Sequence, residues 1–256
     1  MVKVRDRKGI WPFFESWEET MIWSCLQGIM GELYTDDPEK PTAAVARLGD
    51  FAFFAGEPNL ELISCVPEKC GKQFMIFVPQ NTVWRTMIEG HYGEQAKTIL
   101  RFATKKERDM FDREQLNSLA TRLPAGYEMC LIDEEIYDRC SSEEWSRDLV
   151  SNFQNYEEYH RLGLGVAVCR DGRVVSGASS YSRYQEGIEI EIDTKEEYRR
   201  RGLASACGAG LILECLKRGL YPSWDAHSRQ SLSLAEKLGY QYSHEYSAIE
   251  IWKADR

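Results

Sequence analysis

At 256 residues the chain is long enough for one large domain or two of ordinary size, each with its own core. A formal net charge of −9 excludes the broad basic field of non-specific nucleic-acid binders, and no apolar run approaches the roughly 20 residues of a membrane span. The acidity serves solubility first and suits a cationic small molecule second. The stretch Met1-Val2-Lys3-Val4-Arg5-Asp6-Arg7-Lys8 leads into Trp11, Phe13 and Trp17 rather than a signal-peptide core, so a soluble, cytoplasmic protein is expected, with neither nucleic acid nor membrane as partner. Eight scattered cysteines (Cys25, Cys65, Cys70, Cys130, Cys140, Cys169, Cys207, Cys215), with no C-x-x-C and no nearby His pair, read as reduced core thiols. No metal site is expected.

Residues 15–34 carry Trp17, Met21, Ile22, Cys25, Leu26, Ile29, Met30 and Leu33 at helical spacing, which predicts one amphipathic helix. The apolar runs 43–48 and 51–55, parted by Gly49-Asp50, predict a hairpin. A helix is expected from Asn59, a strand over 74–78, and a helix capped by Asn81 through Trp84, Met87 and Ile88. Residues 104–114 are almost entirely charged and read as a solvated connection with no buried face. A short helix over 113–122 and the stop Pro124-Ala125-Gly126 put a boundary near 124, with an N-terminal α/β domain over 1–124 and a second domain over 125–256.

The second part opens with a strand over 127–132, a helix over 142–153 capped by Ser142, and a helical piece over 156–161. A hairpin follows, with arms 163–169 and 173–181 around Arg170-Asp171-Gly172. A third strand, 188–194, feeds a basic turn and a helix over 202–218. Then come a strand over 221–226, a helix over 228–238, Gly239 as its C-cap, and a last strand over 240–252.

The turn Arg199-Arg200-Arg201-Gly202-Leu203-Ala204 is the most informative stretch. A strand, a basic glycine turn and a helix start make an anion cradle: the first-turn N–H groups point outward, the macrodipole adds partial positive charge, and glycine lets a phosphate approach. Arginines there oppose the macrodipole, so a bound anion relieves a conflict; the alternative is a solvated charge run. The strand Ile188-Glu189-Ile190-Glu191-Ile192-Asp193 puts three carboxylates on one face and three isoleucines on the other. His227 reads as a local hydrogen-bonding residue.

This order of elements, with R-x-x-G-x-A at the third strand-to-helix junction, resembles the C-terminal half of the GNAT superfamily of acetyl-CoA-dependent N-acetyltransferases. A second block, Ser228-Arg229-Gln230-Ser231-Leu232-Ser233-Leu234-Ala235-Glu236-Lys237-Leu238-Gly239-Tyr240, strengthens the resemblance, which covers residues 125–256. The whole chain, including residues 49–58, is also similar to a bacterial branch that includes the zwittermicin A resistance acetyltransferase. The resemblance implies an α+β GNAT fold, a mixed and mostly antiparallel sheet flanked by helices, and leaves open a degenerate GNAT-like N-terminal half.

It further implies that main-chain N–H groups of Arg200, Arg201, Gly202, Leu203, Ala204 and Ser205 hold the pyrophosphate of acetyl-CoA, with Arg199 and Arg201 adding charge-assisted bonds. Ile192, Asp193 and Thr194 would pair their main chain with the pantetheine arm, and Ser228, Ser231 and Lys237 belong to the same cofactor side. Glu189 or Glu191 would take the proton from the acceptor amine, with Asp193 a weaker choice. Where many relatives carry a tyrosine acid this chain has Ala235, which leaves Ser231, Tyr240, Tyr242 or water, or departure of an unprotonated thiolate. The expected acceptor is a primary amine of a small polar molecule, walled by the N-terminal domain. A non-catalytic acyl-CoA sensor and a protein N-acetyltransferase are the alternatives, and a homodimer is compatible with all three.

Overall fold

A computed structural model describes residues 1–64 and 74–252. Two compact units emerge, one made of the residues up to Arg101 together with those from Glu245 on, the other of Phe102–His244. Cys65 and Cys70 lie outside the described residues. Among the described residues no helix is long and apolar enough to cross a membrane.

The first unit contains β1 (Val2–Lys3), α1 (Thr20–Gln27), β2 (Glu32–Thr35), β3 (Ala43–Leu48), β4 (Phe51–Gly56), α2 (Leu60–Ser64), β5 (Phe74–Pro79) and α3 (Thr82–Tyr92). β1 to β4 are successively antiparallel, β5 returns parallel to β4, and Ile249 to Trp252 close on β5. The hairpin and the Asn81 cap form as expected, Asn81 accepting from Val83 and Trp84 N–H; the helix expected from Asn59 starts at Leu60, with Asn59 accepting from Glu61 and Leu62 N–H as its cap. The long first helix does not. Gly28 takes a left-handed φ of 72° and turns its N–H back to Cys25 and Ser24 carbonyls, so α1 stops at Gln27 and Leu33 enters a strand instead. Phe54 packs between Phe77 and Trp84, with centroids 4.7 and 5.2 Å away, at the centre of this unit's core.

The chain passes to the second unit in β6 (Ala96–Thr104), a strand that periodicity did not suggest, and returns in β13 (Tyr242–Trp252). Between them lie α4 (Arg113–Ala120), β7 (Tyr127–Leu131), α5 (Glu134–Ser142), α6 (Tyr156–Leu162), β8 (Gly165–Arg170), β9 (Arg173–Tyr184), β10 (Gly187–Thr194), α7 (Leu203–Lys217), β11 (Tyr221–Ser223), β12 (Asp225–Ala226) and α8 (Arg229–Lys237). The five-stranded sheet runs β11-β10-β9-β8-β7, antiparallel throughout except for the parallel pair β10 and β11. The antiparallel meander and its Asp171-Gly172 turn, with φ of 49° and 71°, match the sequence reading.

Two expectations are corrected here. The charged segment 104–114 does have a buried side: Met110 and Phe111 pack on the core, and Asp112 caps α4 through Glu114 and Gln115 N–H. It belongs to the compact unit that begins at Phe102, upstream of the boundary expected near 124. The helix expected over 142–153 starts earlier instead, capped by Asp133, and Ser142 is its last residue. α7 is buried almost all round, and close approach explains its glycines: a Cβ on Gly210 would lie 2.6 Å from Met129 Sδ, and one on Gly208 2.6 Å from Leu238 Cδ1.

Candidate active site

β10 is the organising element. Ile188 and Ile190 are in the core and Ile192 packs against it, so the alternation holds and Glu189, Glu191 and Asp193 share the opposite face. On one side β10 pairs with β9 along its whole length, with a register shift at Glu189/Ile190 that leaves Tyr181 as the extra residue of β9. On the other it pairs with β11 only through Gly187↔Tyr221, Ile188↔Pro222 and Glu189↔Ser223. There the neighbour leaves. Trp224 turns into the core, its indole N–H donating to Ser231 Oγ at 3.2 Å and its ring meeting Tyr240 at 5.5 Å, and β12 then pairs with Phe102 and Ala103 of β6. The edge of β10 from Ile190 to Thr194 is therefore left without a strand partner among the described residues. The expected splay at Ile192, Asp193 and Thr194 is present.

The cradle stands at the far end of that edge. Arg200 adopts φ 60° and Gly202 φ 81°, and Gly202 is the N-cap of α7 with no side-chain cap. The N–H groups of Leu203, Ala204 and Ser205 therefore open outward with the positive end of the macrodipole. A Cβ built on Gly202 meets nothing within 4 Å, so the space over the helix start is open. Lys237 Nζ donates to Ser205 Oγ at 3.0 Å and adds a positive charge beside the first turn.

The arginines divide their work. Arg199 Nε donates to Thr194 O at 3.1 Å, with its guanidinium 4.0 Å from the Asp193 carboxylate. Arg201 donates to Glu197 O at 2.9 Å and Tyr127 Oη at 3.0 Å, and lies 5.1 Å from the Tyr198 ring centroid. Both therefore fasten the loop, and all three arginines of the trio are exposed. Arg170 also donates to Tyr127 Oη, at 3.1 Å. Burial pushes that phenol's pKa up, but the bonds and charges of Arg170 and Arg201 outweigh it and bring the pKa below its usual value. Tyr127 and Arg170 escaped sequence reading because they are far from the cradle in the chain and no local pattern links them to it.

Glu189 is 5% exposed at the point where β10 and β11 part. Burial raises the pKa values of Tyr184, Tyr221 and Tyr240, and the Glu189 charge adds to each. Glu191 is half-buried two residues further along the open edge. Asp193 is held protonated to higher pH by burial, against the pull of Thr194 N–H and Arg199. Tyr240 is removed from the acid candidates: it is 3% exposed, packed against Phe111 and Trp224, and its hydroxyl already donates to Pro222 O at 2.6 Å. Ala235 is fully buried in the core. Ser228 caps α8 through Ser231 N–H, and Ser231 is a half-buried hydroxyl beside Trp224. His227 is exposed.

Comparison with known proteins agrees with this geometry. The family described as GNAT acetyltransferase matches residues 11–249. An uncharacterized N-acetyltransferase of Bacillus subtilis (strain 168), YdfB, is 28% identical over 92% of this chain and 91% of its own length. A crystal structure of a GCN5-related N-acetyltransferase-like protein from Streptococcus suis 89/1591 is 48% identical, superposes with a TM-score of 0.91, and is matched over 96% of this chain and 98% of that one. A GCN5-related N-acetyltransferase from Kribbella flavida shares the fold at 14% identity, with a TM-score of 0.56 over 92% of this chain and 95% of that one.

Proposed function

The chain belongs to the GNAT acetyltransferase family and is an acetyl-CoA-dependent acetyltransferase, and we propose that its acceptor is a primary amine of a small polar molecule, with amino-polyols first among the candidates. The observation that carries this reading is the parting of β10 from β11 at Glu189↔Ser223, beside an uncapped α7. The residues present fit the co-substrate. Outward N–H groups of Leu203, Ala204 and Ser205, with Lys237 beside them, suit its pyrophosphate. The strand edge at Ile192 and Asp193, which has no strand partner among the described residues, suits its amide-bearing arm, whereas Thr194 O and N–H are held by Arg199 and Asp193. Bound there, acetyl-CoA supplies the activated acetyl group.

The chain's own part is proton handling and orientation. An amine must be neutral to attack a carbonyl, and Glu189, at the parting point, takes its proton directly or through water. Glu191, on the same face and more exposed, attracts the ammonium form as it arrives. With Tyr240 committed to Pro222 and Ala235 in the core, the leaving thiolate takes a proton from Ser231, Tyr242 or solvent, or departs unprotonated. The test is incubation with acetyl-CoA and a panel of amino-polyols, aminoglycosides and simple polyamines, with acetylated product read by mass spectrometry. A cationic amino-polyol is expected to be acetylated fastest. Turnover confined to peptide or protein amines would contradict the small-molecule acceptor.

A further inference from the structure

Reduced core thiols are what the cysteine pattern predicts, and Cys25, Cys140, Cys207 and Cys215 are such thiols, each buried and pushed up to about 12 by burial. Two others differ. Cys130 is exposed on the edge strand β7 and Cys169 is half-buried on its neighbour β8. The register sets Cys130 opposite Ala167 and Glu128 opposite Cys169, so the two thiols share one face as diagonal neighbours, within reach of each other's side chains. Met129, between them in register, faces the other way towards Gly210 of α7. A register shift at Val168/Cys169 loosens the pairing of β8 with β9 at the thiol.

We propose that Cys130 and Cys169 are an oxidisable thiol pair, a modification site at which a hydroperoxide makes a disulfide between β7 and β8. The chemistry divides the roles. The Cys130 thiol donates to the Ala167 carbonyl at 3.7 Å, and the interaction of the two thiols favours the thiol form of Cys130 and lowers the pKa of Cys169; burial opposes the second effect and the nearby Arg139 charge assists it. Arg139 is held in place by Gly172 O and Glu135. Cys169 is therefore the attacking sulfur. Its thiolate attacks a peroxide oxygen, an S–O bond forms as the O–O bond breaks, and the departing alkoxide or hydroxide takes up a proton. Cys130 sulfur then attacks the sulfenic sulfur, the S–S bond forms as the S–O bond breaks, and water leaves carrying the Cys130 proton. The pair loses two electrons and the peroxide gains them. Diagonal neighbours stand roughly 7 Å apart and a disulfide needs its Cβ atoms within about 4.5 Å, so β7, an edge strand paired on one side only, must shift by roughly 3 Å for the bond to form.

The site is independent of the acetyl-transfer reading and is tested on the reduced full-length chain. Hydrogen peroxide is added in slight excess, remaining thiols are alkylated, and tryptic peptides are mapped by mass spectrometry. The expected product joins peptides 123–139 and 162–170, lighter than their sum by two hydrogens. Cys130→Ser is expected to stop at a sulfenic acid on Cys169, trapped by dimedone, whereas Cys169→Ser leaves Cys130 oxidised at least about tenfold more slowly. A wild-type chain in which Cys169 is oxidised while Cys130 stays fully alkylated would overturn the proposal. So would equal reactivity of Cys130 in the presence and absence of Cys169.

Discussion

In the first unit β2, β3 and β4 run antiparallel, α2 follows, and β5 returns parallel to β4; in the second β8, β9 and β10 run antiparallel, α7 follows, and β11 returns parallel to β10. The shared order of elements fits a degenerate copy of one fold, and the difference lies at the strand-to-helix junction. β4 is Phe51-Ala52-Phe53-Phe54-Ala55-Gly56, with no carboxylate, and stays paired with β5 from Phe51 to Phe54. It leads into Pro58, which has no N–H, and Asn59, whose side chain takes the N–H groups of Glu61 and Leu62 at 2.9 and 3.3 Å. β10 carries three carboxylates, loses its partner after Glu189, and enters α7 through a residue without a side chain to cap it. The order of elements alone therefore does not make an anion site. An anion site also needs a helix start left unsatisfied, which α7 has and α2 lacks.

The largest expected effect lies on the strand that has carboxylates. Glu189→Gln keeps the shape and removes the base, and should lower kcat about 100-fold or more while acetyl-CoA affinity stays within about twofold. Glu191→Gln should act mainly on the KM of a cationic acceptor. Equal turnover in Glu189→Gln and wild type would move the base elsewhere.

Next come the two helix starts. Gly202→Val forces a β-branched residue into φ 81° and covers the open N–H groups, so acetyl-CoA binding should weaken about 100-fold, from the loss of two or more charge-assisted hydrogen bonds. Asn59→Ala, at the matching junction of the first unit, should cost about 1 kcal/mol of stability by removing a cap and leave acetyl-CoA binding unchanged. Tyr240→Phe should cost about 1 kcal/mol through the lost bond to Pro222 without lowering kcat. A kcat loss there would restore Tyr240 as the acid.

How much was legible in the sequence follows the range of the interactions. The Asp171-Gly172 turn, the Asn81 cap and the Gly202 turn are local, and each stands as read. Helical spacing over 15–34 misled because Gly28 stops the helix from within. Segment 104–114 looked solvated because its two apolar residues, Met110 and Phe111, are outnumbered by charges whose direction only packing decides. Tyr240 looked available because nothing in the chain announces that its hydroxyl meets Pro222. The break at Trp224 that opens the site is tertiary in origin, since its indole is held by Ser231 and its carbonyl accepts from Thr104 Oγ1 at 2.7 Å.

The smallest effect concerns pH. Burial pushes the Asp36 carboxyl up, but the Thr42 hydroxyl, Ala43 and Thr42 N–H and the Thr35 hydroxyl outweigh it and hold its pKa well below the usual range. A depressed carboxylate contributes stability that is present above its unfolded value, near 3.8, and is lost as pH falls below that. Acid should therefore loosen this turn of the first unit, and Asp36→Asn should flatten that part of the stability profile. Asp193 has the opposite sign. Its raised pKa favours folding below the unfolded value and opposes it once the group ionises, so Asp193→Asn should slightly raise the unfolding midpoint at neutral pH.

The contrast between the junctions is tested most directly by calorimetric titration of acetyl-CoA into the full chain and into its Gly202→Val variant. One equivalent bound per chain, lost in the variant, is the expected result. Two equivalents per chain, or one that survives Gly202→Val, would contradict the account.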